Sequence, residues 1–234
     1  MTRNTLYRIH VWLSIPLGII ITLICLSGAT LVFKNEIRDA LGMPRVVAHH
    51  STQRTGKDDG AIAANTHSTR HHHAYANAHG TTSKRDFFSY VTRFHTSLYM
   101  GKTGKYVVTY TTAFFIIILA SGVWLCWPRN SKQWRQRLSI ARGKGRFRLF
   151  YDLHVSLGFY VLLWLLALAI TGAAIGMHLV PKGSSAMTLF HEIHVGKWGG
   201  IVTKVITFAV SLIGASLPLT GYYLYFKKHF RKNA

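Results

Sequence analysis

The chain has 234 residues, a formal net charge of +21, 49% apolar residues and two cysteines. Cys25 and Cys126 both lie inside apolar stretches and no CxxC or CxxCH occurs, which argues against a disulfide framework and against covalent c-type haem attachment. The charge alone would suit nucleic acid, but its basic residues cluster beside apolar spans, where they already have an orientation role.

About 20 consecutive apolar residues, rising roughly 1.5 Å each, cross a hydrocarbon layer of about 30 Å. The first such block, residues 11–33, predicts a membrane helix over about 8–34. It is too long for a signal peptide, and Lys34 follows it without a small-residue cleavage pattern, so a retained helix is expected. Residues 35–103 then form an outside, periplasmic loop in which basic residues are diluted with Glu36, Asp39, Asp58, Asp59 and Asp86. Its stretch 48–83 is rich in Ser, Thr, Gly, Ala and His and cannot build a core, so it is expected to be mobile. The histidines there (His49, His50, His67, His71, His72, His73 and His79) either capture transition metal ions weakly or belong to an incidental polar loop. Phe87, Phe88, Tyr90, Val91, Phe94, Leu98 and Tyr99 recur at roughly helical intervals and predict an amphipathic helix over about 86–100.

A second membrane helix is predicted over about 104–128. The following segment, 128–150, carries Arg129, Lys132, Arg135, Arg137, Arg142, Lys144, Arg146 and Arg148 with no acidic residue. Dense Lys and Arg in a short loop mark the cytoplasmic side, which puts both termini inside. The third helix is expected over about 151–178 and the fourth over about 199–227, joined by a short outside connection. Lys204 in the fourth can snorkel to headgroups, and Pro218 is tolerated where neighbouring helices re-satisfy the freed carbonyl. The fold class is therefore all-α: an integral membrane four-helix bundle.

The four helices form two repeated hairpins. At an offset of 144, Tyr7, His10, Val11, Gly28 and Ala29 fall on Tyr151, His154, Val155, Gly172 and Ala173; at an offset of 99, His95, Gly101, Lys105, Gly122 and Leu125 fall on His194, Gly200, Lys204, Gly221 and Leu224. His10 to Gly28 and His154 to Gly172 each span 18 residues, and His95 to Gly122 and His194 to Gly221 each span 27. Every one of these glycines follows Ser or Thr.

His10 and His154 begin parallel helices, diagonal in an up-down bundle, and are expected to face each other at the inner end. A b-type haem needs imidazoles on its iron, an apolar slot and cations for its propionates. Arg8, with Arg146 and Arg148, is the candidate for the last role. His95 and His194 make the equivalent outer pair. A fully helical span of 27 residues is about 40 Å, which predicts that this pair stands above the outer membrane plane, partly open to water. All four histidines are expected near helix N-termini, where the dipole disfavours imidazolium and keeps the ring ready for a metal. Gly122 and Gly221 descend to the inner pair and Gly28 and Gly172 rise to the outer one. Each glycine either admits a flat macrocycle to the backbone or serves close helix packing. His191, one turn before His194, and His178 are substitute outer ligands, and His191-Glu192 does not extend to a zinc-protease HExxH.

These stretches resemble the PepSY-associated transmembrane helix family, which includes iron-regulated inner-membrane proteins and siderophore reductases. The matching residues are Arg8-Ile9-His10-Val11-Trp12 with Leu26-Ser27-Gly28, and Phe94-His95 through Gly101 and Gly104. Asp152-Leu153-His154 with Gly158 and Thr171-Gly172, and Ile193 through Gly200 with Leu219-Thr220-Gly221, complete them. The resemblance implies a bacterial inner-membrane protein with two haem b groups that reduces ferric siderophore or ferric iron on the periplasmic side. Family members carry sizeable PepSY-type periplasmic domains, whereas the outside segment here is a short His-rich loop. The plan is also similar to the cytochrome b561 architecture. No Rossmann glycine fingerprint occurs, so the electron donor, cytoplasmic or membrane-borne, must bind elsewhere or be a partner. The alternative is a periplasmic metal-binding accessory of an iron or metal transporter, without redox activity.

Overall fold

A computed structural model describes residues 2–42, 86–128, 130–141 and 144–230. The His-rich stretch 48–83 lies outside the described residues. The chain divides into two units, residues 1–34 with 87–234, and residues 35–86. In the second unit the described part holds most of the short helix α2 (Lys34–Ala40) and an ion pair between Arg38 and Asp86.

The first unit is built on four long helices: α1 (Arg3–Val32), α4 (Gly101–Cys126), α6 (Arg146–Gly176) and α8 (Gly200–Phe230). All four are long and apolar enough to cross a membrane. Three shorter helices join them: α3 (Phe87–Ser97), α5 (Ser131–Leu138) and α7 (Ser185–His194). Among the described residues there is no strand. α1 and α6 each pack on both α4 and α8, so neighbours run antiparallel and α1 lies diagonally from α6. The start of α1 and the end of α8 stand at one end of the bundle, and α3 and α7 at the other.

α1 starts where the Thr2 hydroxyl accepts from the Thr5 N–H at 3.3 Å, filling one of the helix's orphan donors. It extends five residues further toward the N-terminus than its apolar run predicts, because polar residues prolong a helix beyond the hydrocarbon. Pro218 sits inside α8, and in the preceding turn the Ala215 carbonyl accepts from the Thr22 hydroxyl of α1 at 3.1 Å. That bond ties α1 to α8 one residue beyond Gly214, whose carbonyl is the one that Pro218 leaves without its helical N–H partner. The core between the two ends is formed by Ile21, Phe115, Ile118, Leu119, Val161, Leu165, Ala169 and Val210. Large apolar side chains also point outward, with Trp12 77% and Leu163 79% exposed. Such a surface would be costly in water and is the natural outer face of a bundle in lipid.

Candidate functional site

His10 is two turns inside α1 and His154 two turns inside α6, so both lie on the diagonal helices. The Nδ1 of His10 lies 3.2 Å from the Ile118 carbonyl and 3.0 Å from the Ser121 hydroxyl, both on α4. The Nδ1 of His154 lies 3.1 Å from the Leu217 carbonyl and 2.9 Å from the Thr220 hydroxyl, both on α8. At the far end His95 reaches α1, with Nδ1 3.0 Å from both the Ile24 carbonyl and the Ser27 hydroxyl. His194 reaches α6 in the same manner, 3.0 Å from the Leu168 carbonyl and 3.2 Å from the Thr171 hydroxyl.

One contact therefore recurs four times, and it fixes the tautomer. A carbonyl only accepts, so Nδ1 must carry the hydrogen. Each hydroxyl already donates to a carbonyl of its own helix: Ser121 to Ile118 and Thr220 to Leu217 at 2.8 Å, Ser27 to Ile24 at 2.9 Å, Thr171 to Ala167 at 2.7 Å. Its oxygen is left to accept from the imidazole. With Nδ1–H spent, the lone pair of each ring is on Nε2, as a metal ligand oriented by a hydrogen bond requires. The role of the Ser or Thr before each glycine is the part that sequence reasoning missed. Its signal was the unbroken Ser/Thr-Gly pairing itself.

The glycines stand at the predicted levels, and what they approach is the imidazole of the neighbouring helix. A Cβ at Gly122 would lie 3.4 Å from His10 Cε1, and at Gly221 3.5 Å from His154 Cε1. The outer pair is tighter, at 3.1 Å for Gly28 against His95 and 2.8 Å for Gly172 against His194. The ring packs where a side chain would be.

The two outer rings face one another with centroids 6.2 Å apart. A metal–imidazole bond of about 2.0 Å, with the ring centre about 1 Å further back, separates two rings on opposite sides of one ion by about 6 Å. His194 is the histidine whose ring faces His95, while His191 and His178 are exposed. At the termini end, His10 and His154 line one cavity of about 780 Å³ together with Gly122 and Gly221. That is within the usual size of a cofactor pocket. Arg8 is exposed and does not line it; Arg3, Arg137 and Lys228 do. Arg3 and Arg137 are held there by donating to the Leu125 and Cys126 carbonyls at 2.8 and 3.0 Å, which close the end of α4. Arg146 is also absent from the lining, and Arg148 instead pairs with the buried carboxylate of Asp152 at 3.0 Å.

Two expectations about the outer pair are corrected. The 27 residues from His95 to Gly122 are not one helix: α3 ends at Ser97, and the chain turns through Leu98, Tyr99 and Gly101 at φ of 48°, 61° and 61°. The corner is tight enough that a Cβ on Gly104 would sit 1.7 Å from the Ser97 carbonyl oxygen. His95 is folded back to the level of Gly28, which a helix places about 27 Å from His10, inside a hydrocarbon thickness of about 30 Å. The height expected from one continuous 27-residue helix therefore does not apply. Second, His95 is in the last turn of α3 and His194 ends α7, so the dipole at the outer pair has the opposite sign to that expected. Burial outweighs it. Desolvation holds His95 below the usual histidine range and lowers His194 to about 4, with the charge of His95 adding to the shift at His194.

Fold and site together define a multi-pass membrane bundle with histidine pairs at two levels, each ring held through Nδ1. The family model described as the PepSY-associated TM region matches residues 7–187, and the chain belongs to that family. No curated protein and no solved structure matches it.

Proposed function

We propose that the chain is a haem-containing electron-transfer protein of the bacterial inner membrane, with one haem b between His10 and His154 and a second between His95 and His194. The observation that carries this reading is the fourfold Nδ1–H contact, which leaves Nε2 as the free ligand in every ring. When bound, haem supplies a one-electron carrier at each level. His10 and His154 would supply the inner ligands, oriented by Ser121 and Thr220, and Arg3, Arg137 and Lys228 offer the cations that propionates need. His95 and His194 hold the outer ligands at the opposite edge, where a ferric siderophore or ferric iron is reduced on the periplasmic side. The basic end is cytoplasmic, with both termini inside, and an electron donor docks there.

A metal-ion accessory to a transporter is the competing reading. Among the described residues no group of three or more His, Cys, Asp or Glu side chains comes together, whereas a closed ion site takes about four ligands. Two opposed imidazoles suit the axial positions of a macrocycle better.

The test is the absorption spectrum of the purified protein after expression with adequate haem. A Soret band that shifts with dithionite is expected, with His10→Ala and His95→Ala each removing about half of the bound haem. Protein that carries no haem under those conditions refutes the reading.

A further inference from the structure

Outside the histidine pairs, α3 carries a second feature. A cavity of about 420 Å³, open to solvent, has Lys34, Arg93 and Lys105 in its lining with Ser89, Thr92, Thr96, Ser97 and Gly101, and among the described residues no acidic side chain lines it. The hydroxyls of Thr92, Thr96 and Ser97 donate to helix carbonyls at 2.7, 2.9 and 2.8 Å, so the three cations are what an entering group meets. Among the described residues none of the three forms an ion pair.

The duplication shows that the corner alone does not produce this charge. At the offset of 99, Arg93 falls on Glu192, Ser97 on Gly196 and Lys105 on Lys204, and at the offset of 144 Lys34 falls on His178. The second corner therefore has an acid in place of the arginine, and its lysine is 7% exposed. Nor does membrane orientation account for these cations, since they stand at the end away from the termini, where Lys and Arg have no topogenic role. Arg93 and His95 are two residues apart on one short helix. Two residues apart on a helix face about 200° from each other, so an anion held at Arg93 stands on the other face of α3 from His95, about one helix diameter of 10–12 Å or more from its ring.

We propose that this basin seats an anionic ferric chelate, one whose iron is wrapped by carboxylates, across α3 from the outer histidine pair. The proposal rests on the electron-transfer reading for the choice of iron and for the step after binding: one electron leaves the reduced protein and ferric iron becomes ferrous, with no bond to the protein made or broken. An oxyanion of a lipid headgroup would meet the same three cations, so the experiment separates the two sources.

The probe is gallium(III) citrate, which keeps the shape and charge of the ferric chelate and is not reduced. Its binding to the full chain in phosphatidylcholine nanodiscs is measured by calorimetry. Binding that weakens with added salt is expected. The variant Lys34→Gln/Arg93→Gln/Lys105→Gln weakens it by roughly tenfold or more, and Lys34→Arg/Arg93→Lys/Lys105→Arg keeps it within about threefold. No binding of gallium citrate, or equal binding by the glutamine variant, overturns the proposal. So does its loss when phosphatidylglycerol is added to the nanodisc, which would assign the basin to lipid. Because gallium takes no electron, the result stands whether or not the protein carries haem, and the Soret measurement judges that question separately.

Discussion

Replacing each of the four site glycines by alanine should give effects that differ in sign. In a helix interior alanine is favoured over glycine by about 0.5–1 kcal/mol, so with free space each variant would gain stability. The space is not equal. A Cβ at Gly221 meets His154 at 3.5 Å, an ordinary contact, whereas at Gly172 it meets His194 at 2.8 Å. To restore contact at 3.4 Å the His194 ring must move by about 0.6 Å, and its Nδ1 is held by Leu168 and Thr171 at 3.0 and 3.2 Å. Overpacking of this kind costs about 1–3 kcal/mol, which more than offsets the helix gain. Gly221→Ala is therefore neutral or slightly stabilising and Gly172→Ala destabilising. Gly28→Ala, at 3.1 Å, falls next to Gly172→Ala, and Gly122→Ala, at 3.4 Å, next to Gly221→Ala. Thermal unfolding in detergent reads the stability series, and bound haem per chain reads the ligand geometry, which tolerates only about 0.5 Å of displacement. Four equal losses, or the largest loss at Gly221, would show that the glycines serve helix packing and refute the ring-contact account.

Other outcomes come from the same geometry. Thr171→Val keeps the shape of the side chain and deletes the oxygen that accepts from His194; metal or haem affinity at the outer pair should fall by about tenfold, measured by titration. His194 is lowered from 6.5 to about 4 in the fold, so the unfolded chain binds more protons between those values. Stability should accordingly fall as pH drops through that window, and His95→Gln/His194→Gln should flatten the fall in pH-dependent melting. Asp152, 2% exposed, accepts from the Ala141 N–H at 3.1 Å and from Arg148. Asp152→Ala leaves these donors without their acceptor and should cost about 1–3 kcal/mol, with faster proteolysis between α5 and α6 as the local readout.

Much of this is legible in the primary structure, for reasons that particular residues make plain. Apolar runs near 20 residues have few alternatives to crossing a membrane, and a histidine register repeated without gaps carries its own evidence of duplication. The levels of Gly28, Gly122, Gly172 and Gly221 come from counting along continuous helices. Counting fails where helices stop: nothing in the spacing of His95 and Gly122 reveals that Leu98 and Tyr99 take left-handed backbone and fold α3 back. The height and dipole environment of the outer pair escape the sequence for that one reason. Nearness in sequence to His10 favours Arg8, yet two residues apart on a helix face about 200° from each other, whereas Arg3 and Lys228 converge on the same cavity from different chain ends.

The four Nδ1–H contacts share a further property. His10 is tied to α4 and His95 to α1; His154 is tied to α8 and His194 to α6. None of these four histidines is tied across the boundary between the first hairpin and the second. Each half of the molecule thus completes its own pair of ligands, one at each end, as a subunit of a two-fold dimer would. Anything coordinated between opposed rings then acts as a rivet through that boundary. Two rivets about 27 Å apart would restrain both sliding and rotation of one half against the other. Fragments 1–128 and 130–234, expressed separately, are in this respect two complementary pieces whose assembly should respond to added haem if the proposed function holds.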